Sequence, residues 1–145
     1  MESTSKKYIL VADDDLSTVS YILSIIEELN DNFYPVKAAN GLEALNIYLH
    51  LRPELIITDM IMPQMDGYDL VIKLLNEDKP PNIWAITCFN FPRICDLQDL
   101  LKNQILFKPF DIEDIENIVL RHEFASTTMD QDTSPLQINA PHLIK

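Results

Sequence analysis

A doubly wound α/β fold, with five parallel strands in the order 2-1-3-4-5 and helices on both faces of the sheet, is what this sequence predicts. Short β-branched or apolar runs alternate five times with longer stretches whose apolar residues recur three and four apart, the signature of repeated strand–helix units. A helix between successive strands supplies the crossover that parallel pairing requires. Pro35 cannot donate to a sheet ladder, which sends the second strand to an edge and selects the order.

Residues 8–12 read as a buried first strand. Over residues 17–29, Val19, Ile22, Leu23, Ile26 and Leu29 share one helical face. Residues 33–38 form the edge strand. After the Asn40-Gly41 turn, Leu42, Leu45 and Leu49 mark a second helix. It should stop near Leu51, because Arg52 precedes Pro53 and is kept out of the right-handed helical region. Residues 55–58 make a central strand. A third helix over 67–77 uses Val71, Leu74 and Leu75, is closed by Pro80-Pro81, and leads into a strand at 83–87. Ile94, Leu97 and Leu101 outline a short fourth helix, residues 104–107 a fifth strand, and Ile112, Ile115, Val119 and His122 a final helix. Beyond about Glu123 the sequence turns to Ser, Thr, Asp, Gln, Pro and Asn without a period. One domain over 1–123 is expected, followed at 124–145 by a disordered tail or the stump of a linker.

One core suits 145 residues of which 47% are apolar. Eleven basic residues against 23 acidic ones leave a net charge of −12, which repels a phosphate backbone or an anionic lipid surface. Neither nucleic acid nor a membrane is an expected direct partner. The only glycines, Gly41 and Gly67, are too few and too far apart for a Walker A loop or a G-x-G-x-x-G turn. Cys88 and Cys95 stand seven apart, without a C-x-x-C pair or a disulfide framework. No apolar run nears the roughly 18 residues of a membrane span. A soluble protein of the reducing cytoplasm is expected.

In open α/β sheets ligands sit beyond the carboxyl ends of the strands. Strand one ends in Asp13-Asp14-Asp15, strand three in Asp59, strand four in Thr87 and strand five in Lys108. Singly, each has an ordinary explanation: helix capping, strand propensity or a solvated cation. Together they bring carboxylates, a hydroxyl and an ammonium to one rim. Clustered carboxylates raise one another's pKa and call for a cation. An all-oxygen set with open positions suits Mg²⁺ better than zinc, and His50, His122 and His142 lie off this rim. A metal, a lysine and a hydroxyl around one carboxylate equip a site for phosphoryl transfer, with an aspartate able to be the nucleophile.

These strand ends, and above all the segment Asp59-Met60-Ile61-Met62-Pro63-Gln64-Met65-Asp66-Gly67, resemble the CheY-like receiver domain of two-component response regulators. The resemblance runs from about Lys7 to His122, through 39–45 and the closing Phe107-Lys108-Pro109-Phe110-Asp111, and it implies the flavodoxin-like strand order already read from the residues. It implies a signalling phosphoacceptor rather than an enzyme. Asp59 would accept a phosphoryl group from the phosphohistidine of a sensor histidine kinase or histidine phosphotransfer protein. Mg²⁺ would be held by Asp13, Asp14, Asp59 and the carbonyl of Ile61, with Asp13 acting largely through a water. Thr87 would hydrogen-bond the phosphoryl group and Lys108 would pair with it. Pro63 and Gly67 would shape the loop after Asp59, and Pro109 the one that aims Lys108. The output would be contact with a downstream protein target or output domain, with room for a weak homodimer.

Two positions depart from the family pattern. Ile105 stands where receivers usually carry Tyr or Phe, three residues before the lysine, and Cys88 follows the threonine where Ala, Gly or Ser is usual. Two other functions compete. Asp13-Asp14-Asp15-Leu16-Ser17 resembles the first motif of haloacid-dehalogenase-type phosphatases, in which Asp13 would be the nucleophile. A pseudo-receiver, binding partners without phosphorylation, is suggested by Ile105.

Overall fold

The alternation of apolar runs and amphipathic stretches becomes a three-layered α/β structure. The computed structural model describes residues 7–29, 32–88 and 90–128. Its strands are β1 (Lys7–Ala12), β2 (Phe33–Ala38), β3 (Leu55–Asp59), β4 (Asn82–Thr87) and β5 (Ile105–Phe107). They pair in parallel in the order β2-β1-β3-β4-β5. β3 is buried along its whole length, as a central parallel strand covered on both faces must be. Pro35 lies on the edge strand, opposite Ile9.

The helices are α1 (Leu16–Leu29), α2 (Gly41–Leu51), α3 (Gly67–Leu75), α4 (Ile94–Leu101) and α5 (Ile112–Thr128). Alternate strand residues feed two cores, following the two-residue period of a pleated strand. Leu10, Ile56 and Ala85 pack with Ala44 and Tyr48 of α2, Leu70 and Leu74 of α3 and Leu97 of α4. Ile9, Val11, Ile57 and Ile86 pack with Val19, Ile22 and Ile26 of α1 and Ile115 and Val119 of α5.

Short polar residues start α2 and α3. Asn40 Oδ1 accepts from the Glu43 amide at 2.8 Å, and Asp66 Oδ1 from that of Asp69 at 2.9 Å. Arg52 does leave the right-handed region before Pro53. It turns left-handed, at φ 50°, where its N–H still reaches the Tyr48 carbonyl at 2.9 Å.

The helix marked by Leu42, Leu45 and Leu49 is present as α2, but those leucines are not its most buried side. Ala44 and Tyr48 are buried and Leu45 half-buried, whereas Leu42 and Leu49 are each 45% exposed. The cause is close packing. Gly41 donates to the Met65 carbonyl at 2.8 Å, and a Cβ at Gly41 would collide with that carbonyl. The helix packs inward on Gly41, Ala44 and Tyr48, and Leu42 and Leu49 turn outward. The boundary expected at 123 falls within α5, which continues to Thr128; residues 129–145 of the expected tail lie outside the described residues.

Candidate functional site

The carboxyl ends of β1, β3, β4 and β5 meet at one edge of the molecule. Asp13 and Asp14 directly follow β1, Asp59 ends β3, Thr87 ends β4 and Lys108 follows β5. Parallel register aligns them: Asp59 pairs with Ile86, the neighbour of Thr87, and Thr87 pairs with Phe107, the neighbour of Lys108.

Carboxylate oxygens of Asp13, Asp14 and Asp59 lie within 4.8 Å of one another, with Asp13 and Asp59 buried and Asp14 exposed. Lys108 Nζ sits 3.3 Å from Asp59 Oδ1 and 3.7 Å from Asp13 Oδ2. The backbone helps place the lysine, because its amide donates to the Thr87 carbonyl at 2.9 Å. Thr87 itself is 3% exposed.

The loop after Asp59 is held by backbone contact. The Gly67 amide donates to the Met60 carbonyl at 2.8 Å, and a Cβ at Gly67 would strike the Asp59 carbonyl. Gly67 has no positive φ, so close approach is what calls for glycine here. Gln64 takes the left-handed conformation, at φ 70°. Ile61, in the same loop, is 67% exposed.

The electrostatics are those of carboxylates short of positive charge. Burial pushes Asp13 up to about 6, against the lowering effect of the Asp15 amide that donates to its Oδ1 at 3.0 Å; the Asp59 charge adds to the rise. Burial likewise raises Asp59, and Lys108 only partly offsets it. Burial alone would depress Lys108, but the Asp59 and Asp13 carboxylates outweigh that and hold it above its ordinary value. One ammonium does not satisfy three carboxylates, and the all-oxygen donor set fits a hard divalent cation.

Four of the residues singled out in the sequence, Asp13, Asp14, Asp59 and Lys108, are thus brought into contact distance, and Thr87 and Ile61 are placed on the adjoining strand end and loop. Asp15 is not part of the cluster. Its carboxylate accepts from the Ser17 amide at 3.2 Å and the Thr18 hydroxyl at 2.7 Å, which lowers its pKa and starts α1. Sequence reading missed the Arg93 guanidinium, stacked 4.4 Å from the Tyr68 ring centroid, with Phe91 beside it. That cluster joins the loop after β4 to α3, and no local pattern announces it.

The doubly wound sheet thus carries an acidic pocket and a lysine at its carboxyl edge. Residues 9–120 match the response regulator receiver domain, and the chain belongs to that family. It is 28% identical over 115 residues to sporulation initiation phosphotransferase F of Bacillus subtilis, covering 79% of this chain and 91% of that one. An uncharacterized 14.6 kDa protein of Leptolyngbya boryana is 29% identical over 125 residues, covering 84% and 94%. Among solved structures, the signal receiver domain of a putative LuxO repressor protein from Vibrio parahaemolyticus matches with a TM-score of 0.77 at 19% identity, over 87% of this chain and 96% of that one. The chemotaxis response regulator CheY4 of Vibrio cholerae matches with a TM-score of 0.69 at 23% identity, over 81% and 99%. The protein is a phosphoacceptor domain of two-component signalling. Among the described residues, no helix is long and apolar enough to cross a membrane.

Proposed function

We propose that Asp59 receives a phosphoryl group from the phosphohistidine of a sensor histidine kinase or histidine phosphotransfer protein, and that the acyl phosphate switches a surface read by another protein. The observation that carries this reading is the placement of Lys108 Nζ 3.3 Å from Asp59 Oδ1, beside carboxylates gathered within 4.8 Å. Asp13, Asp14 and Asp59, with the Ile61 carbonyl, would hold Mg²⁺, which supplies positive charge to the oxygens of the transferred group. The Asp59 oxygen attacks phosphorus, the P–N bond to the donor imidazole breaks, and its electron pair returns to that ring as the new P–O bond forms. Lys108 stays beside the group and neutralises oxygen charge, while the Thr87 hydroxyl donates to a phosphoryl oxygen. Leu16 and Ile61, 66% and 67% exposed around the pocket, offer apolar contact to the segment bearing the donor histidine. The protein catalyses nothing beyond its own phosphorylation and dephosphorylation, and it works in the cytoplasm.

Acetyl phosphate with Mg²⁺, read by intact mass, tests this. Wild type should gain one phosphoryl group, Asp59→Asn none, and Asp13→Asn should keep the label at saturating metal. Label lost with Asp13→Asn but retained in Asp59→Asn identifies Asp13 as the nucleophile, as in a haloacid-dehalogenase-type phosphatase. A wild type that neither labels nor binds Mg²⁺ at millimolar concentration is a pseudo-receiver.

A further inference from the structure

At the opposite pole, beyond the amino ends of the strands, a cleft of about 1060 Å³ is lined by Arg52, Glu54, Glu77, Lys79, Asn82 and His122 among others. Behind it runs a chain of side-chain hydrogen bonds whose direction is fixed at one end. The Ile83 carbonyl can only accept, so the Gln104 atom facing it at 2.7 Å is Nε2. That nitrogen also donates to Asn82 Oδ1 at 2.8 Å. Asn82 Nδ2 is thereby turned toward His122 Nδ1, at 3.1 Å. An imidazole that accepts at Nδ1 is neutral and carries its proton on Nε2. His122 Nε2 belongs to a side chain only 9% exposed, with Glu54 Oε1 3.4 Å away.

We propose that His122 is a proton-operated latch: neutral, it ties α5 to β4 and to the turn between α4 and β5, and protonation at Nδ1 breaks that tie. A proton on Nδ1 faces the Asn82 amide nitrogen, donor against donor. Turning the Asn82 amide over would set its nitrogen against that of Gln104. Turning Gln104 as well would set its oxygen against the Ile83 carbonyl. No rearrangement keeps all the bonds, so the proton costs the chain at least one.

The surrounding charges act in both directions. Glu54, on the loop before β3, and Glu123, on α5 itself, favour the charged ring, while Lys7 of β1 opposes it. On the cleft walls Arg52 is engaged by Glu77 at 3.1 Å, with Asp78 and Lys79 nearby. Burial dominates and holds the imidazole below its ordinary value.

What the latch restrains is a strained turn. Lys102 and Asn103 are consecutive left-handed residues, at φ 53° and 68°, and neither is glycine. Gln104 follows them directly and β5 follows Gln104, ending one residue before Lys108. Acidification therefore loosens the entry to β5 from the pole opposite the phosphoacceptor.

NMR of histidine-¹⁵N and backbone-amide-labelled protein, titrated with Mg²⁺ saturating so that the acidic pocket stays ionised, tests the latch. Wild-type His122 should be the Nε2–H tautomer at neutral pH and titrate with a midpoint below about 6.5. Amides 103–105 and those of α5 around position 122 should move with the same midpoint. Asn82→Asp, which places an acceptor against Nδ1, should raise the midpoint by about one unit or more. His122→Gln should abolish the pH-dependent shifts at 103–105. An Nδ1–H tautomer in wild type, silent amides at 103–105 while the ring titrates, or shifts that persist in His122→Gln each overturn the latch. The wild-type arm alone can do so, whatever the variants' stability.

Discussion

Asp13 is a residue whose burial is opposed to its charge. It is 3% exposed, accepts one backbone N–H and shares one lysine with Asp59, and without metal its pKa stands at about 6 rather than 3.8. The sign of the consequence follows from linkage. Between about pH 4 and 6 the folded protein binds more protons at this site than the unfolded chain, so metal-free stability falls as pH rises through that window. Asp59, also shifted upward, acts in the same direction. Asp13→Asn keeps the oxygen that accepts from the Asp15 amide and removes the charge. In chelator at pH 7 it should stabilise the protein by on the order of 2 kcal/mol, and at pH 4 by much less. Urea unfolding at the two pH values measures this, and equal effects at both would contradict it. His122 has the opposite sign. Its pKa is depressed, so it contributes a loss of stability as pH falls below about 6.5, and His122→Gln isolates that component.

At the scale of elements, the site depends on loops that have no room. Gly67→Ala forces a methyl group into the Asp59 carbonyl and should cost roughly 1–3 kcal/mol. Because the loop must move away from the phosphoacceptor, Mg²⁺ affinity should drop with stability; a variant that loses one and keeps the other would show that the contact does not position Asp59. Strand order, the five helices and the strand-end residues were legible because each rests on local signals: period, proline placement and polar residues that terminate apolar runs. The inner face of α2 was not. Leu42, Leu45 and Leu49 are spaced like a core stripe, but the contact made by Gly41 on Met65 depends on a loop 24 residues away, and no periodicity contains it. Asp15 shares the run of aspartates after β1, and hydrogen bonds to the Ser17 amide and the Thr18 hydroxyl separate it as a cap from the cluster. The Gln104–Asn82–His122 chain joins three elements and has no spacing signature. Ile105 is a different case, visible in the sequence and informative. It packs half-buried against the core on the α3 and α4 side, without the aromatic ring that receivers usually carry there. Amide exchange with and without beryllofluoride should therefore change little over α4, β5 and α5, and a large change there would refute this.

For the whole molecule the governing quantity is charge. A chain of net charge −12 is pushed apart by its own field, and phosphorylation adds roughly −2 more. Any salt relieves part of that repulsion by screening, over a Debye length of about 8 Å at physiological ionic strength. A cation held between Asp13, Asp14 and Asp59 does something else, because it acts inside the pocket, where screening is weak, and binds only the folded arrangement that brings residues 13 and 59 together. Its stabilisation should follow mass action, about 2.7 kcal/mol at a hundredfold excess over the dissociation constant. The two contributions separate when Mg²⁺ and NaCl are compared at equal ionic strength by urea unfolding. NaCl should stabilise gradually and alike in wild type and Asp13→Asn. Mg²⁺ should add a saturable increment in wild type that is greatly reduced in the variant. If NaCl at matched ionic strength reproduces the whole effect of Mg²⁺, the cation only screens, and the acidic pocket is a cluster of repelling charges rather than a binding site.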